Sequence, residues 1–341
     1  MTITGASQVA ILYWGTRGGP VRQLNNMIDA NLDAQIDLHF FLSTNIQGLR
    51  NLHSLIANRK HLAQLPKSKL GLIFRPFTKR KIINQTIEQM HSAEIKRVFF
   101  LLPHPWDIFL AKKLFKKTDI EIVRGVHDIK RHPGDVWPTK RAIRSCLTFA
   151  HRFVAFSPYI ADALKGFNKP VELTSIYETK NRETFPITDN SVLFIGRIRR
   201  YKGLDLLHEA WDLVENKEKR LTIAGEGQGI PFKTGANVLV INEWLTDEKI
   251  EALICAHQLI VLPYIEASQS GIIPIAHALG KPVVVTPVGG LSSQVIPNVN
   301  GIVTERVSAQ SLAVAIDSAL KMKWNIESTY VDLTSFLETI I

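Results

Sequence analysis

Along the chain, short apolar runs rich in β-branched and aromatic residues alternate with longer stretches whose apolar positions recur at helical spacing. VAILYW (9–14), IDLHFFL (36–42), LGLIF (70–74), RVFFLL (97–102), IEIVR (120–124) and RFVAF (152–156) make a first series. SVLFI (191–195), RLTIA (220–224), NVLVI (237–241), QLIVL (258–262), KPVVVT (281–286) and GIVT (301–304) make a second. Strands this continuously apolar are buried on both faces, which predicts parallel sheets with helices on either side. Two such series predict an α/β chain of two doubly wound, Rossmann-like domains. The pattern breaks between 165 and 190, where Gly166, Pro170 and Pro186 interrupt it. The expected domains are therefore 1–170 and 171–324, with a last helix over 325–341 returning to the first. Ligands of such sheets bind beyond the carboxyl ends of the strands, so the loops after the strands carry the chemistry.

Composition adds an asymmetry. The net charge is +10, but residues 1–170 hold 26 Lys and Arg against 11 Asp and Glu, a balance of +15. Residues 171–341 hold 15 against 20, a balance of −5. A basic half joined to a mildly acidic one implies that the first half faces something anionic. The charge concentrates in RKHLAQLPKSKLGLIFRPFTKRKII (59–83), with eight cations and no acid, and in FLAKKLFKK (109–117), with four lysines among apolar residues. Cations interleaved with apolar side chains suit an anionic membrane surface. Nucleic acid could use the same charge, but none of its recognition modules is present. Cys146 and Cys255 lie in helix-like apolar settings in opposite halves, which predicts neither a disulfide nor a zinc site. With no apolar run of about 18 residues and no basic-then-apolar leader, a cytoplasmic protein is expected, peripheral on the membrane's inner face.

Three segments carry candidate chemistry. In GRIRRYKGLDLLHEAW (196–211), Gly196 allows a turn after a strand and Gly203 opens a helix, so Arg197 and Lys202 are placed to bind a diphosphate. LTIAGEGQG (221–229) has a Gly-x-Gly after a strand, but Pro231 follows in place of a helix, and a dinucleotide fingerprint is not expected. In LPYIEASQSGIIPIAHALGKPVVVTPVGGL (262–291), a small-residue loop leads into a short helix. Successive amides at Ser270, Gly271, Ile272 and Ile273 would form an anion nest there.

FIGRIRRYKGLDLL, TIAGEGQG, ALGKPVVVTPVGGL and NGIVT resemble the C-terminal half of the retaining GT-B glycosyltransferases of the family-four type (glycosyl transferases group 1). TRGGP (16–20) is similar to that family's glycine-rich loop after the first strand, and VHDIKRHPG (126–134) to its His-containing strand-end loop. The resemblance implies the GT-B fold, with two domains facing across a cleft: acceptor on the first, nucleotide-diphosphate sugar on the second. It implies that Arg197 and Lys202 clamp the donor diphosphate and stabilise the leaving group's charge. Glu266 would contact sugar hydroxyls, and residues 270–273 the phosphate or sugar. His127 would sit across the cleft near the transferred sugar. Gly18 and Gly19 would let the backbone approach donor phosphates or acceptor, and Glu243 would lie in the base-recognition loop. No Asp-x-Asp occurs, so two cations replace a metal, and no cofactor is expected. The family's second Glu is replaced by Ile275, and Glu266 stands one residue off the family spacing. The implied activity is retaining transfer of a sugar to a lipid-linked or polysaccharide acceptor in cell-surface glycan assembly, such as lipopolysaccharide, capsule or exopolysaccharide. A sugar-nucleotide epimerase of the same shape and an inactive scaffold that binds a partner enzyme stand as alternatives. A phosphorylase would usually be far longer.

Overall fold

The computed structural model describes residues 8–33, 38–50, 59–66, 76–130, 139–174 and 186–326, together with Phe336 and Ile340. The chain divides into two compact units, Met1–Arg131 with Val136–Ile176 and Val331–Ile341, and His132–Asp135 with Tyr177–Tyr330.

The first unit is built on strands β1 (Val9–Tyr13), β2 (His39–Ser43), β3 (Lys60–Ala63), β4 (Arg97–Phe100), β5 (Glu121–Val126), β6 (Arg152–Ala155) and β7 (Val171–Leu173). They pair in the order β3-β2-β1-β4-β5-β6-β7, parallel throughout. Helices α1 (Gly19–Asp33), α2 (Pro76–Ser92), α3 (Asp107–Lys117), α4 (Lys140–Thr148) and α5 (Pro158–Leu164) are described between them. All five residues of β1 are buried and alternate between two cores. Val9, Ile11 and Tyr13 join one cluster, while Ala10, Leu12 and Trp14 join the other. This two-sided burial is why the run is apolar without alternation; each fully buried large side chain is worth about 1.5–3 kcal/mol. Phe336 and Ile340 pack into the same core as Ile11, and Phe336 meets Phe99 edge-on at 5.8 Å.

The second unit is built on β8 (Thr188–Ile195), β9 (Arg220–Ala224), β10 (Val238–Ile241), β11 (His257–Leu262), β12 (Val283–Val285) and β13 (Gly301–Val303). Their order is β10-β9-β8-β11-β12-β13, again all parallel. Helices α6 (Leu204–Leu213), α7 (Asp247–Ala256), α8 (Ile272–Ala278) and α9 (Ala309–Lys321) complete it. Thr139, Ser157, Thr246 and Ser308 cap α4, α5, α7 and α9 through their hydroxyls, each worth about 1 kcal/mol.

Both sheets are doubly wound. Strand order reverses between β1 and β4 in the first and between β8 and β11 in the second. Two strands differ from the sequence expectation. β3 and β7 carry no apolar run, because each is an edge strand that needs no burial on both sides: KHLA is only partly buried, and Leu173 of β7 is exposed. The strand expected at 70–74 lies outside the described residues, as does most of the helix expected over 325–341. Cys146 is buried and Cys255 half-buried, and neither forms a disulfide.

Candidate functional site

In the second unit, the loops after β8 and β11 flank the point where strand order reverses, where open α/β sheets bind ligands. β8 ends at Ile195, and Gly196 and the exposed Arg197 follow at once. A 3-10 turn over Arg200–Lys202 then leads to Gly203, which caps α6 at φ +71°. A Cβ on Gly203 would stand 1.8 Å from the Pro263 carbonyl oxygen, so only glycine lets this turn rest on the loop after β11. The Ile265 amide donates to the Tyr201 carbonyl at 2.9 Å, a second tie between the same loops. Across this contact, the Lys202 ammonium lies 3.7 Å from the centroid of the buried Tyr264 ring. Arg197 and Lys202 are thus both displayed from the first turn after β8.

The loop after β11 departs from the expected open nest. The Ser270 amide donates to Gln294 Oε1 at 2.8 Å, and Gln294 Nε2 returns a bond to the Ser270 carbonyl at 3.2 Å. The Ile272 amide turns to Ser270 Oγ at 3.4 Å and the Ile273 amide to the Ser270 carbonyl at 3.3 Å. Three of the four amides are therefore engaged within the protein, because the loop closes on itself through Ser270. The Tyr264 hydroxyl meets Ser270 Oγ at 3.2 Å, and burial pushes that phenol up to about 12. Glu266 is exposed, while Ala267 and Ser268 beside it are buried. Ile275 is buried in α8 with Ile273, Ala276 and Ala278, so the position of the family's second acid is a packing position here. His277 on the same helix donates from Nε2 to the Asn300 carbonyl at 3.1 Å, and burial lowers its pKa to about 4.

The Gly-x-Gly after β9 serves backbone packing. Gly225 has φ +147°, and a Cβ there would fall 2.0 Å from the Gly196 carbonyl oxygen. The Ile198 amide donates to Glu226 O at 2.9 Å, so the loops after β8 and β9 run side by side. Asn242, after β10, clasps Gly227 with two bonds of 3.1 Å. Its neighbour Glu243 is exposed and ion-paired with Lys249 on α7, which occupies one oxygen of the carboxylate assigned to base recognition. Asn242, Tyr264 and Gln294 were not singled out by the sequence reading, since their roles depend on partners in other loops.

In the first unit, Gly18 and Gly19 follow β1, and Gly19 opens α1. The Thr16 carbonyl accepts from the Gln47 amide at 2.8 Å, holding this loop to the one after β2. His127 directly follows β5 and stacks on Phe156, after β6, with ring centroids 4.0 Å apart. Its Nε2 is buried and has no hydrogen-bond partner among the described residues. Burial lowers its pKa to about 4 against the opposing pull of Asp128, so the ring is neutral near pH 7. A second histidine that the sequence reading missed, His104, follows β4; its Nδ1 accepts from the Trp106 amide at 3.2 Å, and its ring meets Trp14 edge-on at 6.0 Å. Behind it, Asp107 accepts from the His104 amide at 2.8 Å and pairs with Arg124 of β5 at 3.2 Å, both fully buried. That pair ties the loop after β4 to the strand that carries His127.

Of the two basic segments, residues 67–75 lie outside the described residues, and Lys60–Ala63 form the edge strand β3. Phe77 on α2 is 88% exposed, and Lys79 sits 3.7 Å from the ring centroid of the exposed Phe109 on α3. Lys112, Lys116 and Lys117 are exposed along α3. Among the described residues, no helix is long and apolar enough to cross a membrane, and no group of three or more His, Cys, Asp or Glu could hold a metal ion.

Residues 189–322 match the family model described as glycosyl transferases group 1. An uncharacterised glycosyltransferase of Methanocaldococcus jannaschii is 28% identical over 141 residues, 39% of this chain and 36% of the relative. A putative teichuronic acid biosynthesis glycosyltransferase, TuaC of Bacillus subtilis, is 28% identical over 139 residues, 41% and 35% of the two chains. The match therefore spans about a third of each relative's length. Among solved structures, sucrose-phosphate synthase from Thermosynechococcus elongatus superposes with a TM-score of 0.69 at 17% identity, covering 92% of this chain and 89% of that one. Anabaena HepE in complex with UDP-glucose gives 0.66 at 16%, covering 92% and 89%. The lipopolysaccharide outer core galactosyltransferase WaaB gives 0.67 at 16%, covering 97% of each. The sheet orders, the loops at their reversal points and these matches converge: this chain has the fold of the GT-B glycosyltransferases, and its residues 189–322 match the glycosyl transferases group 1 family model.

Proposed function

We propose that the protein is a retaining glycosyltransferase that moves a sugar from a nucleoside-diphosphate sugar to a lipid-linked or polysaccharide acceptor in cell-surface glycan assembly. The observation that carries this reading is the pair Arg197 and Lys202, displayed from one turn at the strand-order reversal of a group 1 domain. Binding of UDP-glucose by HepE, which shares the fold, agrees with a nucleotide-sugar donor. The same fold also occurs in a putative UDP-N-acetylglucosamine 2-epimerase from Listeria monocytogenes, at 10% identity. The family match over 189–322 favours transfer over epimerisation.

In the proposed reaction, the bond between the sugar's anomeric carbon and the β-phosphate oxygen breaks, and the acceptor oxygen bonds to the same face of the carbon. The acceptor's proton passes to the departing phosphate oxygen, and a nucleoside diphosphate leaves. A double displacement would need a carboxylate nucleophile with a second acid nearby; Glu266 has no such partner in its loop. Arg197 and Lys202 offset the charge that develops on the leaving group, in place of a metal ion. Glu266, exposed in the loop that Ile265 ties to Tyr201, takes sugar hydroxyls. Gly271, the one amide of the expected nest without a partner among the described residues, remains for the phosphate or sugar. Neutral His127, whose buried Nε2 has no partner among the described residues, is assigned to a substrate hydroxyl. The first unit receives the acceptor, and the cations and phenylalanines of α2 and α3 hold the protein on an anionic, cytoplasmic membrane face.

The test supplies purified protein with radiolabelled nucleotide sugars and a membrane extract from which native transferases have been heat-inactivated. The reading predicts label in a lipid or polysaccharide fraction that disappears with Arg197→Ala. Release of a free or epimerised sugar from donor alone would replace it with the epimerase reading.

A further inference from the structure

We propose that Tyr264 is a positioning residue: its buried ring carries the Lys202 ammonium and fixes where that charge meets the donor's β-phosphate. The inference rests on the donor-site reading above and assigns a residue to it that no motif marks. A lysine is a flexible, strongly hydrated point charge with several rotatable bonds, so a lysine that must meet one oxygen gains from a second contact that limits its rotamers. The face of an aromatic ring, with its negative quadrupole, supplies one.

Three observations make Tyr264 a built platform rather than a core ring that Lys202 happens to cross. The ring is fully buried and the ammonium stands 3.7 Å from its centroid, closer than to Tyr201 at 5.2 Å. The backbone on both sides is pinned: Gly203 against the Pro263 carbonyl, Ile265 to Tyr201 at 2.9 Å, and the Tyr264 carbonyl accepting from the Thr286 hydroxyl. The phenol then meets Ser270 Oγ at 3.2 Å, and Gln294 holds the Ser270 backbone from both sides. Tyr264 thereby joins the turn that displays Lys202 to the loop that displays Glu266. A mere space-filler would need neither the hydroxyl nor the alignment under a cation.

The experiment measures binding of whichever of UDP, GDP, ADP and TDP stabilises the wild type most, and of its parent nucleoside, to four forms of the full chain. These are the wild type, Tyr264→Phe, Tyr264→Leu and a variant with 3,4,5-trifluorophenylalanine at 264. The last keeps the ring's shape while removing its negative face, so it separates cation binding from packing even where Tyr264→Leu fails to fold. Tyr264→Phe should recover most of the diphosphate affinity, within about threefold, and the trifluoro form should bind the diphosphate about tenfold more weakly than that. Affinity for the nucleoside should change less than twofold throughout. Lys202→Ala should cost about tenfold in the Phe background and about twofold in the trifluoro background, since interacting residues are non-additive. Equal losses for diphosphate and nucleoside, or a Lys202→Ala cost unchanged by fluorination, would overturn the role of Tyr264 and leave the donor site standing. A wild type that binds none of the four diphosphates would remove the donor-site reading, and this role with it.

Discussion

The two units reach the same doubly wound topology, yet their strand-end loops are held in different ways. In the second unit, backbone packs on backbone, Gly225 against the Gly196 carbonyl and Gly203 against that of Pro263, and one side chain, Gln294, clasps the Ser270 backbone. In the first unit, the loops after β4, β5 and β6 are held by side chains, through the Asp107–Arg124 pair and the stacking of His127 on Phe156. Polar atoms are left over there, His127 Nε2 and Trp14 Nε1 having no partner among the described residues. Close backbone approach leaves little freedom to the turn that displays Lys202, whereas leaving a buried ring nitrogen unpaired costs about 1–3 kcal/mol.

The contrast can be broken most severely at the cations. Arg197→Ala should lower the transfer rate by about 10²–10³, the usual cost of removing one stabiliser of developing charge, with stability near that of wild type because Arg197 is exposed. Full activity in steady-state assays would remove it from the clamp. Glu266→Ala should abolish measurable transfer, whereas Ile275→Glu should not raise it. Placing a carboxylate at buried Ile275 should instead lower stability by at least ~2 kcal/mol in urea unfolding.

The backbone frame itself is tested by Gly203→Ala and Gly225→Ala. Each puts a methyl group into a carbonyl oxygen at positive φ and should cost about 1–3 kcal/mol. Gly19→Ala, where a Cβ meets nothing within 4 Å, should cost far less. Equal effects at all three would show that close backbone approach is not what sets the second unit apart.

Acid should separate the units next. Burial lowers His39, His104 and His127 of the first unit to about 4, and His277 of the second. A histidine depressed in the folded state binds its proton more readily when unfolded. Stability is therefore fully present above pH 6.5 and falls as pH drops from 6.5 towards 4. For the mostly buried His104, His127 and His277 the loss at pH 5 is on the order of 1–2 kcal/mol each. Hydrogen exchange at pH 7 and pH 5 should show the first unit losing more protection than the second; the reverse order would contradict these environments. The smallest effect is expected at the surface, where replacing one lysine among Lys112, Lys116 and Lys117 should weaken binding to anionic vesicles by about 1 kcal/mol. A shared loss on raising salt would agree; no binding to vesicles at low salt would end the membrane assignment.

Much of this was legible in the sequence. A strand buried on both faces must be apolar throughout, so the interior strands β1, β4, β5, β8, β9 and β11 announce themselves. β3 and β7 do not, because an edge strand can read Lys-His-Leu-Ala or Val-Glu-Leu and still pair. Arg197 and Lys202 could be placed from the strand–Gly–Arg and Lys–Gly–helix frame alone. The nest at 270–273 could not be tested that way, since Gln294, which takes the Ser270 amide, lies 24 residues on. Nor could the reason for Gly203, whose neighbour Pro263 lies on another strand's loop. The apolar character of α8 was legible as packing, and Ile273, Ile275, Ala276 and Ala278 are buried in it.

The central claim is that the second unit binds a nucleoside-diphosphate sugar through Arg197 and Lys202. Thermal unfolding of the wild type and of Arg197→Ala, each with UDP-, GDP-, ADP- and TDP-sugars, tests it directly. One donor should stabilise the wild type by about 2.7 kcal/mol at a hundredfold excess over its dissociation constant. At that same concentration it should stabilise Arg197→Ala by clearly less. No response of the wild type to any of the four, or an equal response of the variant, would contradict the account.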